Sequence, residues 1–427
     1  MKQTTTSTPA LASRGGLDAA VEDAWAGVGE SFEQFCLMAG LASLTQMLDE
    51  DSKELAGAPH AREADKPGYR WGRTKGRLGF HGGKVDLDRP RVRSKTTGKE
   101  LTLPSWREAA AAGWLEEWAM SLMLINVATR KFGRAVRLPE AGVSAKAGSG
   151  LSKSAVSRRF KALTEARLAE WMASDLSQRD LLVIQIDGLH LDDNLLMIGA
   201  VGVDADGRKH PLGVVEGATE NAATVQALLD NLIDRGLDPK VCRLFIVDGA
   251  KALTKAIRRT FGADIPIQRC QVHKARNITE RIDPKHHAAV RRVLRQAWEM
   301  DDAEQAERLL RNLARRLELE APGVSKSILE GLDEILTVTR LGLPLELRRS
   351  LASTNIIESM NAVIRQVCRN VKRWRDAQMA LRWTAAGMLE AAKGFRRLKA
   401  HKQLTVLKTA LEKHRARPNV DPREQAA

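Results

Sequence analysis

The sequence contains few cysteines, one tyrosine and no long apolar run. Its four cysteines, Cys36, Cys242, Cys270 and Cys368, are scattered over 427 residues, which argues against a disulfide framework and predicts a reducing compartment. No apolar stretch approaches the roughly 20 residues that a membrane-spanning helix requires, so we expect no membrane partner. Residues 1–16 lack the apolar core of a signal peptide and are expected to be a tail.

Basic residues outnumber acidic ones, 68 against 53, and the formal net charge is +15. The sequence pI is about 9.8. Because the basic residues also cluster, we predict a polyanion as the partner, with a merely soluble basic protein as the alternative. Apolar residues make up 43% of the chain, which is enough for hydrophobic cores, and the length predicts two or three domains.

Two short apolar stretches of the same design each end in Asp-Gly. Residues 181–188 read LLVIQIDG and contain Asp187, and residues 243–249 read RLFIVDG and contain Asp248. Such stretches predict strands that are buried on both faces of a sheet and end at the acid. Because open α/β sheets place their chemistry at the ends of such strands, we expect the two carboxylates to lie side by side. Neighbouring carboxylates repel unless a proton or cation lies between them, so the pair predicts a divalent metal site.

The elements around these stretches predict an α/β fold. Strand patterns cover residues 195–203 and 209–216, and a helical pattern covers 221–235 before the second acidic strand. Strand, strand, strand, helix, strand is the order of a ribonuclease-H-like core. A further strand is predicted over residues 265–272, and the charged, almost wholly helical residues 283–341 are predicted to be an insertion.

The first 175 residues are predicted to be mainly helical, with a small basic β patch over residues 69–93. A glycine-rich break followed by a basic amphipathic helix predicts a helix-turn-helix at about residues 138–165. Its expected DNA contacts are Lys153, Ser157, Arg158 and Lys161. The alternative is an ordinary amphipathic helix whose basic face is solvated.

Glu358 is the candidate for a third metal-binding acid. It lies in STNIIESMN, on a predicted helix whose apolar residues gather on one side. The other side carries Glu358, Asn361, Arg365, Arg369 and Lys372. Glu358 has no Lys or Arg three or four residues later to pair with, which favours a metal ligand on a DNA-binding face. The alternative is a capping box, in which Glu358 reaches back to a cap amide near Asn355.

Taken together, these motifs resemble bacterial insertion-sequence transposases of the IS256 type, relatives of the eukaryotic Mutator elements. The matching stretches are IQIDG at Asp187, FIVDGAKAL at Asp248, QRCQVHKARNI at Cys270 and His273, and STNIIESMNAVIR at Glu358. A long gap with a helical insertion before the third acid is also characteristic. The resemblance extends over roughly residues 65–410, including RRLKAHKQL near Arg397.

The resemblance implies a DDE transposase that binds the terminal inverted repeats of its element and catalyses DNA cleavage and strand transfer. Asp187, Asp248 and Glu358 are the implied catalytic residues and ligands of two Mg²⁺ (or Mn²⁺) ions. Arg365, Arg369 and Lys372 are expected to contact DNA. Cys270 and His273 are expected to support the active site rather than to hold zinc, because a structural zinc site generally has four protein ligands.

The same resemblance implies the partners and the location. They are terminal-repeat and target DNA, a homodimer or larger synaptic assembly, and the bacterial cytoplasm, with no small-molecule substrate. Two other interpretations stay open: a structure-specific nuclease or resolvase on the same core, and a catalytically silent DNA-binding derivative.

The predicted domains divide the chain into six parts. Residues 1–65 form a tail and helices, 66–175 a DNA-binding region, 176–282 the first part of the core, 283–345 the helical insertion, 346–400 the core completion with Glu358, and 401–427 a C-terminal tail.

Overall fold

The computed structural model describes residues 32–60, 63–80, 83–111, 120–121, 123–124, 145–147, 153–192, 195–217, 221–369 and 371–416. The chain divides into two compact units, Met1–Leu163 and Thr164–Ala427. Residues 1–16, predicted to be a tail, lie outside the described residues, whereas residues 401–416 of the predicted C-terminal tail are described and contain the helix Leu404–Arg415. Within the described residues, no helix combines the length and the apolar character that crossing a bilayer requires.

The first unit is built on an antiparallel sheet that packs against a helix. Its elements are α1 (Phe32–Ala56), β1 (Gly68–Phe80), β2 (Gly83–Ser94), β3 (Glu100–Leu101), α2 (Pro104–Ala111) and β4 (Ala145–Ala147). The strand β2 pairs with β1, β3 and β4. Leu44 and Leu48 of α1 pack with Leu78, Leu87 and Val92 of the hairpin.

Acidic partners neutralise much of the predicted basic β patch. Arg73 pairs with Asp49 and Asp88, and Arg77 lies 2.7 Å from Asp86. Exposed ion pairs of this kind contribute little to stability, but they reduce the charge that the sheet presents to a polyanion.

The predicted helix-turn-helix is described only in part. Its second helix is α3 (Lys153–Met172), whereas its first helix falls outside the described residues. The intervening segment contains β4, which pairs with β2 and is therefore a strand rather than part of a turn.

The second unit contains a five-stranded mixed sheet in the order β7-β6-β5-β8-β9, so the predicted α/β class is confirmed. The strands are β5 (Leu181–Asp192), β6 (Leu195–Asp204), β7 (Lys209–Gly217), β8 (Leu244–Val247) and β9 (Ile267–Arg269). The strand β6 is antiparallel to β5 and β7, while β5, β8 and β9 are mutually parallel. Helices α4 (Ala222–Asp234) and α5 (Lys251–Phe261) provide the crossovers, and their apolar faces complete the core under the sheet.

Two predicted strands differ in length from the observed ones. The first acidic strand was expected to end at Asp187, but β5 continues to Asp192 because its antiparallel pairing with β6 continues. The strand predicted over residues 265–272 spans only Ile267–Arg269, because its partner β8 ends at Val247. Cys270 instead precedes α6 (Gln271–Thr279), which carries His273.

Residues 284–340 are helical and have a hydrophobic core of their own. After a 3₁₀ turn at Pro284–His286 come α7 (His287–Glu299), α8 (Ala303–Leu317), α9 (Pro322–Leu329), α10 (Leu332–Ile335) and α11 (Thr337–Arg340). Leu294, Leu310 and Leu313 are among the residues of this core, to which Ile278 of α6 also belongs.

The chain then returns to the sheet through α12 (Leu345–Leu351), α13 (Asn355–Cys368) and α14 (Ala377–Lys393), and ends with α15 (Leu404–Arg415). Gly199 of β6 leaves room for Met360 of α13 and Met388 of α14, whose terminal carbons come to within 3.7 and 3.6 Å of where a Cβ would be. These helices therefore cover one face of the sheet closely.

Candidate active site

The three sequence-predicted acids line one cavity at the edge of the five-stranded sheet. Asp187, Asp248 and Glu358 are half-buried, and the cavity has a volume of about 420 Å³. Its other lining residues are Gly188, His190, Leu196, His273, Arg276, Asn361 and Arg365. Tertiary structure thus brings together side chains from β5, the end of β8, α6 and α13.

Strand register explains the proximity of the two aspartates. Ile186 of β5 is paired in parallel with Val247 of β8, and each is followed directly by an aspartate. Because parallel partners project to the same side, Asp187 and Asp248 emerge beside each other where β8 ends. The Asp248 carboxylate is oriented by the backbone N–H of Ala250, which donates to its Oδ1 across 2.9 Å.

Gly249 is required directly after the second aspartate. Its φ is +106°, in the region that favours glycine. A Cβ at this position would also overlap the guanidinium of Arg269. The backbone can therefore turn away from β8 immediately after Asp248 only because residue 249 has no side chain.

Gln185 attaches the start of α13 to the sheet. This fully buried glutamine donates from Nε2 to the Ser353 carbonyl across 3.1 Å, and its Oε1 accepts from the Ile357 N–H across 3.2 Å. The N–H of Ile357 belongs to the first turn of the helix, where backbone donors have no partner within the helix. Gln185 therefore fixes Glu358 relative to Asp187, two residues farther along β5.

Glu358 does not form the capping box that was the alternative interpretation. The N-cap of α13 is Thr354, whose hydroxyl donates to Glu358 Oε1 across 2.8 Å. The Glu358 carboxylate is therefore hydrogen-bonded to a hydroxyl and not to a backbone amide of the cap, and Glu358 lines the cavity. The capping-box alternative is wrong.

Cys270 and His273 approach the same carboxylate from α6. Thr354 donates its N–H to Cys270 Sγ at 3.5 Å, and its hydroxyl lies 3.4 Å from His273 Nδ1. His273 Nδ1 is 3.6 Å from Glu358 Oε1. Among the described residues, Cys270, His273 and Glu358 form the group of three potential ligands whose atoms all lie within 4.8 Å of one another, and Asp187 and Asp248 are not in it.

The electrostatics of the cavity favour a bound cation. Burial, followed by repulsion from Asp248, raises the pKa of Asp187 to about 7, with Glu358 adding to the repulsion and His273 opposing it. The hydrogen bond with Cys270 is the main cause that raises the pKa of His273 to about 9, against the effect of burial. Burial alone would raise the pKa of the Cys270 thiol, but hydrogen bonds from His273 and Thr354 outweigh it and lower that pKa.

The predicted DNA contacts lie in two places. Arg365 is exposed and lines the cavity, Arg369 is the C-cap residue of α13, and Lys372 is exposed beyond its end. The sequence predicts that Arg365, Arg369 and Lys372 lie on one side of a single helix. This prediction is wrong for Lys372, because α13 ends at Cys368. On α3, Ser157, Arg158 and Lys161 are exposed, whereas the side chain of Lys153 is outside the described residues.

Sequence reasoning missed the roles of Gln185, Thr354 and Arg276. A polar residue inside the apolar stretch LLVIQIDG was the available signal for Gln185. Arg276 lies three residues after His273 on α6, so it shares a helix face with the histidine. The strand predicted over residues 265–272 gives no indication of this shared helix face.

The fold and the cavity define the class: an α/β protein with a carboxylate site at the edge of a mixed sheet. Residues 34–397 match the family model described as Transposase, Mutator family, and the chain belongs to this family. The predicted resemblance is thereby confirmed.

The relatives are transposases of bacterial insertion sequences. The transposase for insertion sequence element ISRM5 of Rhizobium meliloti (strain 1021) is 28% identical over 353 residues, 81% of this chain and 85% of the relative. The transposase for IS6120 of Mycolicibacterium smegmatis is 30% identical over 223 residues, which cover 51% of this chain and 67% of the relative. The transposase for IS256 in transposon Tn4001 of Staphylococcus aureus is 27% identical over 257 residues, which cover 58% of this chain and 62% of the relative. These relationships support a transposase function.

Proposed function

We propose that this transposase cleaves and joins DNA strands in the cavity of Asp187, Asp248 and Glu358, by the DDE mechanism with two divalent metal ions. The observation that carries the proposal is the convergence of these three acids, which are far apart in sequence, in one cavity. The strand order β7-β6-β5-β8-β9, with the first three strands antiparallel and the rest parallel, supports a ribonuclease-H-like core.

The residues of the cavity fit hard divalent cations. Carboxylate oxygens are the ligands that Mg²⁺ and Mn²⁺ prefer. Burial, followed by repulsion from Asp248, raises the pKa of Asp187, and a bound cation would offset both effects. Asp187, Asp248 and Glu358 would hold the metal. When bound, such ions supply Lewis-acid activation of the attacking oxygen and stabilise the leaving oxygen of an in-line displacement.

The chain's own residues position the reactants. Asn361 Nδ2 donates to Asp187 Oδ2 across 3.0 Å and so orients one carboxylate, while Ala250 and Thr354 orient the other two. Arg276 and Arg365 line the cavity and can bind the phosphate under attack, because guanidinium groups match phosphate geometry. Arg369 and Lys372 extend this contact along the DNA backbone.

The remaining parts of the proposal concern the partners. Ser157, Arg158 and Lys161 on α3, with Lys153, bind the terminal inverted repeats, while target DNA enters the cavity. Joining two ends to one target requires a homodimer or larger synaptic assembly in the bacterial cytoplasm.

The test uses the full chain with labelled DNA that carries the inverted repeats of its element, in the presence of Mg²⁺. We expect cleavage at the repeat ends and strand-transfer products. Asp187→Asn, Asp248→Asn and Glu358→Gln should each lose both activities by at least about 1,000-fold, since they remove metal ligands. The matched control is Asp206→Asn, an exposed acid in the β6–β7 turn, which should stay active.

Three outcomes would overturn the proposal. Cutting of branched DNA without joined products would indicate a resolvase or structure-specific nuclease. Cleavage that Asp187→Asn leaves unchanged would show that this acid is not catalytic. DNA binding with no cleavage by the unsubstituted chain would favour a catalytically silent DNA-binding derivative.

A further inference from the structure

Glu358 belongs to two groups of potential metal ligands. One is the trio of acids, and the other contains Cys270 and His273. In a tetrahedral zinc site, bonds of about 2.0 to 2.3 Å place the ligand atoms roughly 3.3 to 3.8 Å apart. The 3.6 Å between His273 Nδ1 and Glu358 Oε1 already has this spacing, and the Cys270 sulfur lies within 4.8 Å of both ligand atoms.

We propose that a zinc-class ion binds Cys270, His273 and Glu358, and that its binding withdraws Glu358 from Asp187 and Asp248 and so inhibits the transposase. The inhibition rests on the proposed function, whereas the binding does not.

The donor set selects the kind of ion. Sulfur and imidazole nitrogen favour Zn²⁺ and similar transition metals, whereas Mg²⁺ prefers oxygen ligands alone. The two sites therefore take different ions although they share one carboxylate. Asp187 and Asp248 would be left as the partners of Mg²⁺, without the third acid that holds the metal in the proposed active site.

Access and geometry indicate a reversible site rather than a structural one. His273 and Glu358 line the cavity, so an ion can enter from there, and a water molecule from the cavity can take the fourth position. Zinc sites with three protein ligands and one open position are the reactive kind. Cys270 is fully buried behind them, and the Thr354 N–H that donates to its sulfur would orient the thiolate.

Binding requires a modest rearrangement. Glu358 Oε1 would exchange the Thr354 hydroxyl, now at 2.8 Å, for the metal. His273 Nδ1 faces both Thr354 and Glu358, so the imidazole already points toward the position that the ion would occupy.

The first experiment measures binding directly, with Co²⁺ as the probe. The metal-free full chain is titrated with Co²⁺, and we expect a thiolate-to-cobalt charge-transfer band in the near ultraviolet that saturates at one ion per chain. Because the two sites share Glu358, Mg²⁺ should raise the Co²⁺ concentration needed to develop the band, and it should produce no band of its own. Cys270→Ser should abolish the cobalt band, and His273→Gln, a change at a half-buried position, should weaken binding at least tenfold.

Cys368→Ser is the matched control. Cys368 is also a buried cysteine of this chain, but it lies ten residues beyond Glu358 on α13, about 15 Å along the helix axis. The variant should retain the full band. A missing band in the unsubstituted chain, or a band that survives in both Cys270→Ser and His273→Gln, would overturn the site.

The second experiment measures inhibition. Zn²⁺ is added to the cleavage reaction at fixed Mg²⁺, and each variant is compared with its own zinc-free rate. We expect at least tenfold inhibition of the unsubstituted chain and of Cys368→Ser, and a half-inhibitory Zn²⁺ concentration at least ten times higher for His273→Gln.

The outcomes separate the two proposals. A charge-transfer band together with undiminished cleavage in Zn²⁺ would overturn the inhibition. Absence of cleavage in the zinc-free chain would mean that the proposed function has failed, and the cobalt spectrum would then still decide whether the metal site exists.

Discussion

Asn361 donates its side-chain amide to the Asp187 carboxylate across 3.0 Å, which joins α13 to β5 beside the cavity. Asn361 is one helical turn after Glu358, so the same helix supplies one acid and orients another. The contact is an amide with a carboxylate, and it adds no further negative charge to a cavity that already contains three acids.

We expect Asn361→Ala to reduce strand cleavage by about 10- to 100-fold, because outer contacts of metal ligands typically contribute this much. The Mg²⁺ concentration needed for half-maximal activity should rise, while affinity for terminal-repeat DNA stays the same. The measurement is a Mg²⁺ titration of the cleavage rate beside a DNA-binding isotherm. Equal loss in DNA binding would indicate a general structural role, and Asn361→Gln offers a partial rescue that such a role would not produce.

The second prediction concerns the stability of the metal-free protein as a function of pH. The folded-state pKa of Asp187 is about 7, above its ordinary value of 3.8, so the folded state holds this proton more tightly than the unfolded state does. The associated stabilisation is fully present below about pH 4 and is lost as the pH rises through 7.

Asp187→Asn should remove this pH-dependent loss of stability. The free energy of unfolding of the variant should equal that of the unsubstituted chain near pH 4 and exceed it near pH 8. The measurement is urea unfolding in EDTA across this pH range, with Asp206→Asn as the control. Parallel stability curves for the unsubstituted chain and Asp187→Asn would contradict the prediction.

A pair of glycines with nearly the same φ angle tests the turn after Asp248. Gly249 and Gly262 have φ values of +106° and +104°, but a Cβ would meet Arg269 at the first position and nothing within 4 Å at the second. Gly262→Ala should therefore lose about 1 to 3 kcal/mol of unfolding free energy from backbone strain alone.

Gly249→Ala should lose more stability than this, and it should also lose cleavage activity, because the overlap with Arg269 displaces the neighbouring Asp248. Urea unfolding and cleavage assays of the two variants provide the comparison. Similar losses in both variants, with activity retained, would show that the close approach of Arg269 is unimportant.

The fourth prediction concerns DNA contacts. Arg365 lines the cavity and has no acidic partner among the residues that the structure describes. Arg365→Gln should weaken binding to all DNA sequences alike and reduce the slope of log affinity against log salt concentration by about one. Lys161→Gln on α3 should reduce the slope in the same way.

Arg311→Gln is the control for both variants, because Arg311 is paired with Glu307 at 2.7 Å in the helical segment. Its salt slope should match that of the unsubstituted chain. If Arg365→Gln and Arg311→Gln behave alike, Arg365 is not a phosphate contact.

The local pattern of apolar and polar residues was sufficient to predict several elements of the fold. The helix predicted over residues 221–235 is observed as Ala222–Asp234, and Asn221 caps it by accepting from the Thr224 N–H. The meander strands lie where hydrophobic periodicity predicts them, because each buries its own apolar residues against the core. The motifs around the three acids also sufficed to predict the family.

Other features depend on partners that are distant in sequence. The short strand β9 ends because β8 offers no further backbone partner, so Cys270 and His273 belong to a helix start instead of a strand. The length of β5 beyond Asp187 is set by its pairing with β6. The end of β5 and the end of β9 therefore depend on their partner strands and not on their own residues.

By itself, then, the amino-acid sequence determined the α/β class and the family, because these follow from local periodicity and from short motifs. It also predicted three acids that the fold brings to one cavity. Only the tertiary structure decided that Gln185 anchors α13, that Thr354 and His273 approach the Glu358 carboxylate, and that Glu358 lies close to Cys270 as well as in the cavity of Asp187 and Asp248. The physical reason is that hydrogen bonds and ligand geometry act over a few ångströms, between residues such as 185 and 357 that the chain separates widely.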